Sequence, residues 1–275
     1  GRLDHDAAPN CEASRGGGSR MTLRLDKDGK IARLVIDRPD KRNAFNQEMW
    51  DFFPTLLADA MADDAVRALM VHASERGSAF CAGADIAEFG AGAQDPTWRA
   101  ANQASINKLQ HELARAPKPT IAIVDGDCVG GGCGIAMACD FRIAGPAARF
   151  GITPAKLGLV YPLHDTKLLV DLVGSSQAKR LLYTAALISA AEAEKIGLVT
   201  MLADQPYDAA MKLATQMAEA SGQSQMLSKM QIQRILDGQA HDDAETLAEF
   251  RAAFDSADFK EGVSAFLSKR KPEFK

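Results

Sequence analysis

Three consecutive glycines, Gly130, Gly131 and Gly132, separate two apolar runs within residues 121–140. The stretch opens as Ile121-Ala122-Ile123-Val124, β-branched and strand-like, and breaks at Asp125-Gly126. It resumes as an apolar helix over residues 135–138. A strand, a glycine turn and a buried helix start leave free backbone N–H groups where an anionic oxygen can sit. Glycines at such a junction serve either tight packing beneath the helix or close approach by a ligand. This is the longest apolar stretch in the chain, and Asp125 and Asp127 interrupt it well short of the ~20 residues a membrane span needs.

Composition narrows the classes further. The 275 residues are 47% hydrophobic and 25% charged, enough for one large domain with or without an appendage. A net charge of −4 offers no broad basic surface for nucleic acid. The five cysteines (11, 81, 128, 133, 139) form no CxxC pair and match no zinc pattern. Their odd number fits a reducing, cytoplasmic setting, with buried thiols acting as small hydrophobes. Residues 1–20 are polar and glycine-rich without periodicity, and read as a tag or disordered extension ahead of Met21.

Along the chain, two strand-like runs, 23–25 and 31–36, flank Asp28-Gly29, a hairpin signal. Asn46 is a helix N-cap for residues 47–61, with Met49, Phe52, Phe53, Leu56 and Leu57 on one face. Residues 66–71 are a continuous apolar run, expected to form a strand covered on both faces. A loop over 74–92 and a helix over 98–114 follow. Residues 141–144 and 149–150 read as strands, 166–173, 176–183 and 190–196 as helices, and 198–202 as a strand. From residue 207 onward the pattern is helical, with breaks near Gly222, Gly238 and Ala257. The order predicts an α/β core over 21–204 and a helical C-terminal lobe over 205–275.

A second loop, residues 77–86, also follows a strand and carries small residues through Ala82-Gly83-Ala84. Two backbone N–H groups aimed at one oxygen form an oxyanion hole, each contributing about 3 kcal/mol to the transition state. That hardware suits a thioester enolate.

Together these residues resemble the crotonase (enoyl-CoA hydratase/isomerase) superfamily. The resemblance runs through residues 38–46 (RPDKRNAFN), the Ala82-Gly83-Ala84-Asp85-Ile86 loop and the Gly130-Gly131-Gly132-Cys133 turn. It continues through Phe150-Gly151, Leu157-Gly158 and residues 261–272. It implies a spiral of ββα turns, assembly as a homotrimer or dimer of trimers through the C-terminal lobe, and an acyl-CoA substrate. No cofactor beyond the substrate's coenzyme A, and no metal, is implied. Carried over by position, Ala84 and Gly131 supply the oxyanion N–H groups. Arg42, Ala44, Ala82, Asp85 and Ile86 line the coenzyme A site, and Phe266 and Lys269 reach it across a subunit boundary. Lys269 reads equally as a solvated terminal charge.

The chain departs from the family's hydratases at both catalytic glutamates. Gly134 stands where the first belongs and Pro154 where the second does. Neither can activate water or protonate carbon. The segment Thr153-Pro154, Leu157-Gly158, Tyr161 instead resembles methylmalonyl-CoA decarboxylases of the same superfamily, whose tyrosine lies in the active site. Those enzymes can carry histidine where this chain has Ala84. Candidate replacements are Tyr161, which otherwise reads as a core aromatic, and His164, a usable acid or base at an ordinary pKa of about 6.5. Asp165 is a third, and otherwise reads as a helix N-cap. Glu88 reads as a solvated loop charge, and Asp140 as a ligand of local backbone.

The leading expectation is an acyl-CoA enzyme that stabilises an enolate, with decarboxylation of a malonyl-type CoA its reaction. The alternatives are an enoyl-CoA hydratase or isomerase with relocated acid and base, and a non-catalytic acyl-CoA-binding protein.

Overall fold

The computed structural model describes residues 22–274, so the expectation for residues 1–20 lies outside the described residues. The chain opens as a hairpin, β1 (Leu23–Asp28) and β2 (Ile31–Ile36), turning at Gly29 with φ +58°. Then come α1 (Gln47–Ala62), β3 (Ala68–Ala73), α2 (Ile86–Gly92), α3 (Pro96–Ala114), β4 (Thr120–Val124), β5 (Asp127–Val129) and α4 (Gly131–Ala138). Next are β6 (Phe141–Ala144), β7 (Arg149–Gly151), α5 (Leu163–Thr184), β8 (Leu187–Ser189), α6 (Ala190–Lys195) and β9 (Met201–Leu202). Four helices close the chain: α7 (Pro206–Ala218), α8 (Gly222–Leu236), α9 (Ala244–Ala253) and α10 (Ala257–Leu267).

The strands form two sheets. The larger has the order β1-β2-β3-β4-β6-β9, parallel except for the β1–β2 hairpin. The smaller has the order β5-β7-β8. Consecutive strands are dealt alternately to the two sheets (β4 then β5, β6 then β7), the expected spiral in which each turn feeds both. The parallel strands read as near-continuous apolar runs because both faces are covered. On β3, Leu69 and Val71 face the main core while Ala68 and Met70 face a second cluster closed by Ala210 and Ala214 of α7.

Several boundaries differ from expectation. The 74–92 loop ends in a helix, α2, because the Asp85 side chain accepts from Ala87 N and caps it. Gly90 and Gly92 hide that helix from propensity. The strand expected over 198–202 shrinks to Met201–Leu202, since Leu198 and Val199 fold back to bond Ala193 O. The helices expected over 166–173 and 176–183 run as one stretch, α5, broken at Gly174, whose φ is +74°. That stretch begins at Leu163 with Pro162 at its N-cap, so Asp165 does not cap it. The Asn46 cap is present, accepting from Met49 N at 3.0 Å.

Candidate active site

Backbone pairing builds the centre of the molecule. Phe45 N donates to Gly83 O and Asp85 N to Phe45 O, each at 2.8 Å. Val129 N donates to Cys81 O at 2.9 Å, and Gly130 N to Gly151 O at 2.8 Å. These bonds stitch residues 81–85 between the segment before α1 and the β5–α4 junction. The Phe45–Ala84 bridge uses the Gly83 carbonyl and the Asp85 N–H on either side of Ala84 and leaves the Ala84 N–H out. Gly131, first residue of α4, has no earlier helical turn to bond. The two amides are neighbours: a Cβ on Gly131 would lie 3.9 Å from Ala84 N, and one on Gly83 would lie 3.6 Å from Gly131 N. The two amide nitrogens therefore lie side by side, at the partly exposed N-terminal end of a buried helix.

The glycines are forced by close approach. A Cβ on Gly132 would overlap Cys81 O and sit 2.8 Å from Cys81 Cβ, and one on Gly131 would sit 3.0 Å from the Trp50 ring. Gly130 has φ +56°. At the other end of α4, the buried Arg142 guanidinium donates to Cys139 O and Leu198 O, both at 2.7 Å, and to Ala136 O at 3.3 Å. It caps the carbonyl end of the helix, complementing the dipole.

Around the second turn of α4 lies a buried polar group. Asp165 is 2% exposed, and its Oδ1 has no hydrogen-bond partner among the described residues. A Cβ placed on Gly134 would lie 3.1 Å from that oxygen. Burial alone pushes the Asp165 carboxyl up to about 7. Tyr161 is buried beside it and donates to Gly130 O at 3.2 Å; burial first, then the Asp165 charge, raise its hydroxyl pKa.

The remaining sequence-derived candidates divide. The Asp85 side chain is committed to structure: it pairs with Arg38 Nη1 at 2.8 Å, which holds its carboxyl below the ordinary value. Arg38 also donates to Ala44 O at 2.9 Å. Ala82 N donates to Arg42 O at 3.1 Å, so Arg42, Ala44, Ala82, Asp85 and Ile86 share one rim, with Ile86 exposed. The Arg42 side chain pairs with Asp127, which Arg149 also holds at 2.8 Å. His164 turns the other way, its ring 5.9 Å from His111 and facing a groove with Asn107 and Lys108. Phe266 and Lys269 are exposed on the C-terminal segment, and no hydrogen bond or ring contact among the described residues joins them to this rim. Glu88 is not a free loop charge: it accepts from Gln47 N at 2.7 Å, at the start of α1. Asp140 accepts from Thr120 N at 2.8 Å and pairs with Lys229.

Two buried polar side chains beside α4 were missed from the sequence. Gln110 of α3 is fully buried with neither amide atom hydrogen-bonded, and Trp50 Nε1 is likewise buried and unpaired. A signal existed for Gln110: it interrupts the apolar stripe Ile106, Leu109, Leu113 at helical spacing.

The family model described as enoyl-CoA hydratase/isomerase matches residues 26–275. The chain belongs to the enoyl-CoA hydratase/isomerase family. It is 36% identical to a crotonyl-CoA hydratase of Syntrophomonas wolfei, over 91% of this chain and 96% of that one. It is 35% identical to a short-chain-enoyl-CoA hydratase of Clostridium acetobutylicum, over 90% and 95%. The crystal structure of an enoyl-CoA hydratase/isomerase family protein from Hyphomonas neptunium superposes with a TM-score of 0.90 at 37% identity, covering 93% of this chain and 98% of that one. The crotonase α/β fold and an acyl-CoA enzyme of this family are thereby established. Among the described residues, no helix is long and apolar enough to cross a membrane.

Proposed function

We propose that this chain hydrates a short-chain 2-enoyl-CoA thioester using one carboxyl group, Asp165, in place of the family's two glutamates. The observation that carries the reading is the buried, unpartnered Asp165 Oδ1 facing Gly134, on a carboxyl at about 7. On this reading Gly134 and Pro154 stand at the vacated glutamate positions, and Asp165 restores the lost acid and base from α5. The thioester oxygen accepts from Ala84 N and Gly131 N, and the negative charge that grows there is met by the α4 dipole. As a water oxygen bonds to C3, the Asp165 carboxylate takes one water proton and the double-bond electrons move onto the thioester oxygen. Asp165 then returns that proton to C2 as the enolate collapses. A carboxyl near 7 is matched to both halves of this exchange at neutral pH. The acyl length is suggested by the two relatives named for crotonyl-CoA and short-chain enoyl-CoA.

Coenzyme A lies, on this reading, along the rim formed by residues 42–44 and 82–86, with Phe266 and Lys269 supplied by a neighbouring subunit of a trimer or dimer of trimers. The chemistry needs no cofactor beyond coenzyme A. The four described cysteines are free thiols, in keeping with the cytoplasm.

The test is crotonyl-CoA hydration by the native chain and by Asp165→Asn. The variant should lose roughly 10³-fold in kcat, within the range for a general acid–base group. Unchanged hydration in that variant would sink the assignment. Decarboxylation of a malonyl-type CoA is the second reading, favoured by the Thr153–Tyr161 segment and by the Tyr161 hydroxyl lying against Gly130. It ranks lower because that hydroxyl is already donated to Gly130 O, and because an ionised Asp165 would repel the substrate carboxylate. CO2 release from methylmalonyl- or malonyl-CoA, without hydration of crotonyl-CoA, would reverse the ranking. Binding of acyl-CoA with no turnover of either kind would favour the non-catalytic alternative.

A further inference from the structure

Gln110 occupies the space that a side chain on residue 134 would need. A Cβ there would overlap Gln110 Nε2 and lie 2.9 Å from its Cδ, while Asp165 Oδ1 is 3.1 Å away on the same side. Gln110 and Asp165 come from different helices, α3 and α5, and converge on one point in front of the Gly134 Cα. Gln110 is fully buried, Asp165 nearly so, and neither side chain bonds the other or anything else through Nε2, Oε1 or Oδ1. Three unpartnered polar atoms in one buried spot are costly unless something polar joins them. The two side chains share no direct bond, and a single bridging oxygen would join them.

We infer that Gln110 is the water-positioning residue of the reaction, its amide seated in the space that Gly134 leaves and holding the attacking water against Asp165. The inference rests on the hydratase reading above. It assigns a role to a residue that makes no bond within the protein, and a reason for the glycine at 134. A glutamate at 134 and a glutamine at 110 are alternative occupants of one volume, and this chain has adopted the second. Gln110 gives and takes no proton: its Nε2 donates to the water oxygen, or its Oε1 accepts from one water hydrogen, while the other hydrogen points at Asp165.

The experiment compares crotonyl-CoA hydration by the native chain, Gln110→Met, Gly134→Ala and the double variant. Methionine keeps the volume and removes the unpaired amide, so Gln110→Met should melt no lower than the native chain. Its kcat should fall roughly 100-fold with KM within about threefold, because only the placement of water is lost. Gly134→Ala should produce a similar loss by displacing the amide, and the double variant should be no worse than either single one. Three results would overturn the inference. One is hydration by Gln110→Met within about threefold of native; another is a loss accompanied by a lowered melting temperature and a raised KM, which marks a structural role. The third is full additivity of the two substitutions. Failure of the underlying reading looks different: the native chain hydrates nothing, or Asp165→Asn hydrates normally.

Discussion

A carboxyl whose folded pKa is raised costs stability when it ionises, and Asp165 gives that cost a definite sign. Its ordinary value is 3.8 and burial lifts it to about 7. Below pH 4 both folded and unfolded chains hold the proton and no penalty exists. Between 4 and 7 the unfolded chain releases it while the folded chain keeps it, so stability falls as pH rises. Above 7 the penalty is complete. Asp165→Asn should therefore raise unfolding free energy at pH 8, on the order of a few kcal/mol, and change it little at pH 4. Urea titrations at the two pH values check this, and an equal gain at both would contradict the raised carboxyl. The same ionisation sets the acid limb of hydration, with activity rising as pH increases through about 7. Asp165 was legible in the sequence as a candidate, but not its job. The N-cap reading depended on where α5 starts, and Pro162 takes that place. Gln110 went unread because its meaning depends on α3 crossing the second turn of α4, a contact no local pattern encodes.

At the scale of elements, α4 shows how completely a short helix can be specified by what surrounds it. Its N-terminal glycines are set by the Cys81 backbone and the Trp50 ring, and its last carbonyls by Arg142. Gly132 meets backbone rather than a movable side chain, so Gly132→Ala should destabilise the chain by about 2 kcal/mol or more despite alanine's better helix propensity. Thermal unfolding of that variant checks the claim; a neutral or raised melting temperature would mean that the 81–85 segment yields. This junction was the most legible part of the fold, since strand, glycines and helix follow within 20 residues of sequence. Less legible were α2 and β9. The first depends on a single cap, Asp85, and the second is trimmed to two residues by Leu198 and Val199 bonding back to α6.

For the molecule as a whole, the spiral follows from alternation: each apolar run contributes to one sheet or the other, and α7 seals the outer face of the larger. The closing helices are another matter. Phe250, Phe254, Phe259, Val263, Phe266 and Leu267 leave α9, α10 and the turn between them with exposed apolar side chains. Such a surface is large for a free monomer. Light scattering should return a trimer or hexamer mass, and Phe254→Glu should lower it; a native monomer would refute the assembly. The cysteines around α4 carry a consequence of a different kind. Cys81, Cys128, Cys133 and Cys139 are all buried, and burial raises the thiol pKa of Cys81 and Cys139 to about 12. In the folded chain all four buried sulfurs are shielded from reagent. Each becomes reactive only when the packing around it opens. Alkylation at these four positions, read by mass spectrometry, is therefore a built-in clock for how often the centre of this molecule comes apart.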